Sequence, residues 1–299
     1  MKLFTEVSCK KIPFLSASDR IFVLGSCFAD AIGARLADAG FDVACNPFGT
    51  LYNPASLAAA VARLDSAEPF GPQDCVEMGA GAGRICSFSH HTSFARATAQ
   101  EFLAHANARL QEDAARWRAC THVILTLGTA RVWRALDLPG RPVVANCLKR
   151  PAREFSHELL SVDACAALLR TIVETHPDKR FLFTVSPIRH LGDGAHGNTL
   201  SKATLHLAVE ELLSASHPGP TDRHPGLDPG SPAYFPAYEI LLDELRDYRF
   251  YGEDLVHPAP AAVQIIWERF LDACTDPADR PRILAAEKAA RAAAHRPLR

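Results

Sequence analysis

The sequence has almost no net charge. Its 299 residues include 32 Lys and Arg against 34 Asp and Glu, which gives a formal net charge of −2 at pH 7. Domains that bind nucleic acid usually present a strongly basic surface, and charged interaction tails are long runs of one sign. The charge balance supports neither, and we expect no nucleic-acid partner.

Long apolar stretches and paired cysteines are also missing. No 18-residue apolar span occurs, and the first residues lack the apolar core of a signal peptide. The nine cysteines are scattered, and no two have the spacing C-x-x-C. Such a set is typical of reduced thiols and not of a disulfide framework or a zinc site. We therefore expect a cytoplasmic protein with no membrane span, no metal and no cofactor.

What the chain does contain is an alternation of short apolar runs and helical patterns, with 48% hydrophobic residues. Continuous runs at 21–24, 41–45, 121–127 and 180–185 are typical of strands buried on both faces. Helical patterns cover 54–64, 97–117, 162–176, 198–214, 234–245 and 261–273, while 131–155 looks irregular. This alternation predicts one α/β domain over 1–299, a three-layer α/β/α sandwich of flavodoxin-like type with a parallel sheet ordered 2-1-3-4-5.

Two segments stand apart in composition. Residues 217–233 are rich in Pro and Gly and contain a near-repeat of His-Pro-Gly, which predicts a surface insertion. Residues 285–299 are rich in Ala and Arg, which is typical of a helical cap or a frayed end. We assign neither segment a chemical role.

The first strand ends at a turn that suits a nucleophile. Gly25 interrupts the apolar run, and a helical period starts at about Phe28, so Ser26 and Cys27 fall at a strand end and over a helix N-terminus. Ligands of open α/β sheets bind at such ends, and a helix N-terminus stabilises an anion. The alternative is an ordinary turn in which Cys27 is a small buried residue.

A second candidate pair lies in the last fifth of the chain. Asp254 and His257 are three residues apart, directly before Pro258. In a turn this spacing puts both side chains on one side, so that a carboxylate can orient an imidazole as in a nucleophile–His–Asp triad. The alternative is a surface carboxylate beside a helix-capping histidine. The catalytic interpretation requires that His257 comes close to Ser26 or Cys27.

The order of these candidates, with further motifs, resembles a known family. Gly-Ser-Cys-Phe-Ala at 25–29 resembles the motif that names the GSCFA-domain family, a bacterial family placed with the SGNH (GDSL-type) hydrolases. The resemblance extends over nearly the whole chain, through the segments 46–54, 127–130, 146–147, 186–190, 198–202, 234–239, 243–251 and 253–258. It implies an SGNH-type fold and acyl transfer through a covalent acyl-enzyme.

The resemblance leaves the nucleophile open. If Gly25 is aligned with the glycine of the Gly-Asp-Ser motif, Cys27 takes the nucleophile position, and shifting the alignment by one residue gives Ser26. We favour Cys27, since a thiol is the better nucleophile at neutral pH. His257 is then the base, and Asp254 the residue that orients it.

The oxyanion and substrate-binding groups are less well defined. By analogy the donors are the Cys27 N–H, Gly49 and a group from Gly128 or Thr129. Ala130 stands where SGNH relatives present an Asn, so Asn46 or Asn146 is a candidate replacement. Leu148 stands where family members usually have His. Gly25 and His190, at the ends of two predicted strands, complete the candidate set.

We therefore expect a hydrolase for a small-molecule or glycan-linked acyl ester. Two alternatives remain: an acyltransferase that acts on a glycan or lipid precursor, and an inactive binding module that kept the fold. The sequence leaves the acyl group and the oligomeric state open.

Overall fold

Ten strands and eight α-helices occur in the part of the chain that the computed structural model describes, residues 5–12, 14–215 and 231–294. The strands are β1 (Arg20–Gly25), β2 (Asp42–Cys45), β3 (Val76–Glu77), β4 (Ile85–Cys86), β5 (His122–Leu127), β6 (Arg131–Ala135), β7 (Val143–Val144), β8 (Phe155–Leu159), β9 (Arg180–Val185) and β10 (Ala233–Tyr234). The helices are α1 (Cys27–Asp38), α2 (Pro54–Ser66), α3 (Ala99–Ala119), α4 (Val162–Glu174), α5 (Gly194–Ala215), α6 (Ala237–Glu239), α7 (Pro260–Cys274) and α8 (Arg280–Ala294).

The central sheet has five parallel strands in the order β2-β1-β5-β9-β10. Counted along the chain, these strands have the predicted order 2-1-3-4-5. Every residue of β5 is buried, because helices cover both faces of the sheet. The predicted three-layer α/β/α architecture is confirmed.

Side chains of β1 alternate between two hydrophobic cores, as the two-residue period of a strand requires. Phe22 and Leu24 point to the core formed with α2, α3, α4 and α5. Ile21 and Val23 point to the core formed with α1, α7 and α8. The ends of β1, β5 and β9 are therefore held rigidly, and the loops that follow them converge at one edge of the sheet.

The structure differs from the sequence prediction over residues 131–155. Three short antiparallel strands form a second sheet there, in the order β7-β6-β8. Val132 and Ala135 are buried, Trp133 is exposed, and the two arginines are half-buried, so β6 contains no continuous apolar run. A search for continuous apolar runs does not detect that pattern.

Residues 234–245 also differ from the single helix that was predicted. Tyr234 belongs to β10 and pairs with Phe183 of β9. Helix α6 starts only after Pro236, and residues 240–245 are π-helical. Of the predicted insertion at 217–233, residues 217–230 lie outside the described residues. Of the predicted tail, 285–294 belong to α8 and 295–299 lie outside. Among the described helices, none combines the length and apolar character needed to cross a bilayer.

Candidate active site

The turn between β1 and α1 is built around a glycine that no other residue can replace without strain. Gly25 has φ +146°, and a Cβ there would overlap the Thr126 carbonyl of the neighbouring strand β5. The chain can therefore turn sharply next to β5 and start a helix within two residues. As a result, Cys27 is the first residue of α1, directly at the carboxyl end of β1.

Ser26 and Cys27 have different environments. Ser26 is fully buried, and its Oγ accepts the N–H of Phe28 at 3.3 Å, so it is the N-cap of α1. Cys27 is half-buried and lines an open cleft. The hydroxyl of Ser26 is thus engaged inside the protein, whereas the thiol of Cys27 can meet a ligand.

Tyr52 is a further residue of the cleft, and the sequence alone did not single it out. Its Oη lies 3.0 Å from Thr50 Oγ1 and 3.6 Å from Cys27 Sγ. Burial raises the pKa of Tyr52 to about 12, so the phenol stays protonated and can donate to either neighbour. The loop after β2 carries it, which is the usual position for functional groups in this type of sheet.

Asp254 and His257 form a local pair. Asp254 Oδ1 accepts the backbone N–H groups of Val256 and His257, at 2.9 and 3.0 Å, and its Oδ2 lies 2.6 Å from His257 Nδ1. The His257 N–H, the imidazole bond and the Val256 N–H together lower the pKa of Asp254 to about 2. The carboxylate therefore stays charged at neutral pH and fixes one ring nitrogen of His257 as a donor.

Cys27 and His257 line the same cleft, which has a volume of about 610 Å³. Cys27 comes from the start of α1 and His257 from the loop before α7, so the fold brings together segments 230 positions apart. His257 keeps 48% of its side chain exposed, and its Nε2 has no hydrogen-bond partner within the described residues. No hydrogen bond joins His257 to Cys27 among those residues.

His190 lines this cleft and carries a nitrogen without a hydrogen-bond partner among the described residues. Its Nε2 is buried and has no hydrogen-bond partner in the described part of the chain, while its ring packs edge-on against Tyr52 with centroids 5.6 Å apart. Burial lowers the pKa of His190 to about 4, with smaller contributions from Lys202 and His257. The ring is therefore neutral at pH 7. A buried polar atom without a partner is rare and calls for a functional explanation.

Several of the candidate oxyanion donors already form hydrogen bonds within the protein. The Gly25 N–H donates to Asn46 Oδ1 at 2.8 Å, and Asn46 Nδ2 donates to Asp30 at 2.6 Å. The Gly49 N–H donates to the Asn46 carbonyl at 2.9 Å. Gly25, Asn46 and Gly49 thus stabilise the loops around the turn through these hydrogen bonds.

The N–H groups of Gly128 and Thr129 are also engaged, since both donate to the Tyr52 carbonyl at 2.8 Å. Thr129 still lines the cleft, but its Oγ1 lies 2.8 Å from Ser201 Oγ. Asn146 lines the cleft too, and its Oδ1 accepts the Leu148 N–H at 2.8 Å. Its Nδ2 has no partner within residues 14–215 or the other described segments. The Asn146 side-chain amide is thus a candidate donor whose N–H groups are free among the described residues.

A buried lysine holds two loops of the cleft together. Lys202 Nζ donates to the Gly128 carbonyl at 2.6 Å and to the Ser186 carbonyl at 2.7 Å. These carbonyls follow β5 and β9, so the lysine fixes the distance between the ends of the two strands. Complete burial lowers the pKa of Lys202 to about 7. The sequence offered no sign of this role, because the pattern of α5 does not reveal which polar residue faces the sheet.

In the segments that the structure describes, no three His, Cys, Asp or Glu side chains are grouped so that they could hold a metal ion. The groups that line the cleft with Cys27 are instead suited to donating hydrogen bonds and moving protons.

A family model matches residues 20–270, from the start of β1 to within α7. The chain belongs to the GSCFA family. No curated protein and no solved structure matches this GSCFA chain. The matched range contains all the residues that line the cleft. Leu148 is fully buried in the larger core of this GSCFA protein.

Proposed function

We propose that this GSCFA protein hydrolyses acyl esters through a covalent acyl-enzyme on Cys27. One observation carries the proposal: a thiol at the first position of a helix and an imidazole oriented by a carboxylate line the same cleft. The nucleophile lies on the first βα turn, and the Asp-x-x-His motif lies near the end of the chain. This order supports grouping the protein with the SGNH hydrolases. All nine cysteines are free thiols, which supports a reducing compartment such as the cytoplasm.

The first half-reaction forms a thioester. Cys27 Sγ attacks the ester carbonyl carbon, and the thiol proton moves to His257 Nε2. The N-terminus of α1 and the Tyr52 hydroxyl, 3.6 Å from Sγ, stabilise the thiolate. The tetrahedral intermediate then collapses, the bond to the alcohol oxygen breaks, and His257 returns its proton to that oxygen. Asp254 holds the ring orientation during both transfers.

The oxyanion of the intermediate needs donors that are free in the unliganded protein. Ser26 caps the N–H of Phe28, and the N–H of Cys27 lies at the first helical position, where no intrahelical acceptor exists. We assign the second donor to His190 Nε2–H. The imidazole ring is neutral, and its Nε2 has no hydrogen-bond partner among the described residues. In this assignment His190 takes the role of the Asn that SGNH relatives present at the position of Ala130. The Asn146 amide is a third donor.

The second half-reaction restores the thiol. His257 takes a proton from water, and the resulting hydroxide attacks the thioester carbonyl. The C–S bond breaks, the carboxylic acid leaves, and Cys27 regains its proton from His257. The exposed side of His257 gives water access to the ring after the alcohol has left.

Hydrolysis of short-chain acyl esters by purified variants tests the proposal. We expect Cys27→Ala to lower kcat/KM by at least about 10³-fold and His257→Ala by about 10²–10⁴-fold. Ser26→Ala is the matched control, since it removes an adjacent hydroxyl that is buried and engaged. It should reduce stability by about 0.5–2 kcal/mol through loss of the helix cap while kcat/KM stays within about tenfold. Equal turnover in wild type and Cys27→Ala would contradict the proposal.

A further inference from the structure

One wall of the cleft is built on the small antiparallel sheet. It consists of Arg131 and Trp133 from β6, His157 from β8, and Asp193 from the turn before α5, and we call these four residues the Trp133 wall. Arg131 and Trp133 are two positions apart on β6 and thus point to the same side of that sheet. None of the four has a role in the acyl transfer described above.

Trp133 is the exposed tryptophan of this protein. Trp117 and Trp267 are buried, and their indole N–H groups each donate to a carboxylate at 2.7 Å. Trp133 is 37% exposed, and its indole N–H has no partner within the described segments. Leaving part of a large aromatic ring in water forgoes the stability that its burial would bring.

His157 holds the indole in place. The two residues are directly opposite in the β6–β8 register, and their rings are stacked at 11° with centroids 4.0 Å apart. The imidazole covers part of one indole face, and Phe155 packs edge-on against the indole with ring centroids 6.5 Å apart. The wall therefore presents a rigid aromatic surface to the cleft.

The polar side chains beside Trp133 have unused hydrogen-bonding capacity. Asp193 lies between Arg131 and His157, with Oδ2 3.8 Å from Arg131 Nε and Oδ1 3.5 Å from His157 Nε2. Both separations are longer than a good hydrogen bond. Arg131 Nε is buried without a partner in the described part of the chain. Acceptors and donors are thus arranged around an aromatic face.

We propose that the Trp133 wall binds a pyranose ring, so that the substrate is an acylated carbohydrate. A pyranose has an apolar C–H face that packs on indole and hydroxyl groups at its rim that both donate and accept. Asp193 accepts from those hydroxyls, and Arg131 donates to them. A flat aryl group would leave the remaining hydrogen-bonding capacity of these side chains unused. This inference rests on the proposed function, because it assigns the alcohol part of the ester.

Matched substrates test the inference. The probes are mono-O-acetylated methyl pyranosides of glucose, mannose, xylose and N-acetylglucosamine, with ethyl acetate and phenyl acetate for comparison. We expect kcat/KM for at least one pyranoside to exceed both simple esters by tenfold or more. Trp133→Leu should abolish that preference by lowering kcat/KM for the pyranoside at least tenfold more than kcat/KM for ethyl acetate. Tyr248→Leu, which removes an exposed aromatic outside the cleft, should behave as wild type.

Binding to an inactive variant separates this inference from the catalytic proposal. In Cys27→Ala, titration with the same pyranosides should change tryptophan fluorescence, and Trp133→Leu should abolish the change because the other two tryptophans are buried. Cys27-dependent turnover of simple esters without pyranoside preference or binding would overturn the carbohydrate assignment alone. Pyranoside binding without Cys27-dependent turnover of any ester would overturn the proposed function and leave the sugar site standing.

Discussion

Individual polar atoms at the cleft differ in whether their hydrogen bonds are already made. The Ser26 hydroxyl and the N–H groups of Gly128 and Thr129 have partners inside the protein. His190 Nε2 has none among the described residues, although it is buried. Leaving such an atom unsatisfied costs about 1–3 kcal/mol, which a bound oxyanion would recover during the reaction.

The role of His190 leads to a prediction about rate and stability together. His190→Phe keeps a ring against Tyr52 but removes the donor, so we expect kcat to fall by about 10²–10³-fold with little change in KM. Because no hydrogen bond to Nε2 is lost, the free energy of unfolding should stay equal or increase. Steady-state kinetics and urea denaturation measure both effects.

His206→Phe is the matched control for this prediction. His206 is also a histidine whose pKa burial lowers to about 4, but it packs on Tyr238 away from the cleft. Its replacement should leave kcat unchanged. A full rate in His190→Phe would contradict the assignment of His190 as an oxyanion donor.

The sequence predicts a contact between two residues of the site when they are close together along the chain. Asp254 and His257 are three residues apart, so their spacing predicts their hydrogen bond. Tyr52 and His190 come from different loops, and their closeness to each other depends on the register of the whole sheet. For the same reason, the sequence could not reveal that the N–H groups of Gly128 and Thr129 are engaged by a carbonyl 76 and 77 positions earlier.

Among the elements, the β1–α1 connection determines where the nucleophile stands. Gly25 combines a positive φ with direct contact to β5, so both its backbone conformation and its lack of a side chain are needed. The strands with continuous apolar sequences were predictable because both of their faces are buried. The sheet of β6, β7 and β8 was not, since its strands are short and half-exposed.

Two glycine substitutions separate the effect of a strained backbone conformation from the effect of steric overlap with β5. Gly25→Ala should prevent folding or lower the free energy of unfolding by more than about 3 kcal/mol, because strain and overlap with Thr126 add together. Gly81→Ala is the control: Gly81 also has a positive φ, of +65°, but open space surrounds it. Its replacement should cost about 1–2 kcal/mol. Equal losses in urea denaturation would show that contact with β5 is unimportant.

Across the whole molecule, burial keeps several basic side chains neutral. His90 is fully buried, and its ring lies among those of Phe48, Phe70, Phe94 and Phe102 at centroid distances of 4.6–5.3 Å. Burial lowers the pKa of His90 to about 3. In the unfolded chain a histidine has a pKa of about 6.5. Between these two values the unfolded chain therefore binds a proton that the folded protein does not.

This difference predicts sensitivity to acid. As the pH falls from 6.5 towards 3, His90 lowers the free energy of unfolding by up to about 1.4 kcal/mol per pH unit. His90→Phe should remove this contribution, so its unfolding free energy should fall less steeply between pH 6 and 4. Above pH 7.5 the two proteins should change in parallel. Identical slopes at acid pH would show that His90 is protonated in the folded state.

The account as a whole depends on Cys27 carrying the acyl group, and mass spectrometry of the protein during turnover tests this directly. Rapid acid quenching after mixing with an activated acetyl ester should trap one acetyl group, and peptide mapping should locate it on Cys27. Cys27→Ala should carry no adduct, while Ser26→Ala should be labelled like wild type. Turnover with the acetyl group on Ser26, or turnover that survives in Cys27→Ala, would contradict the account.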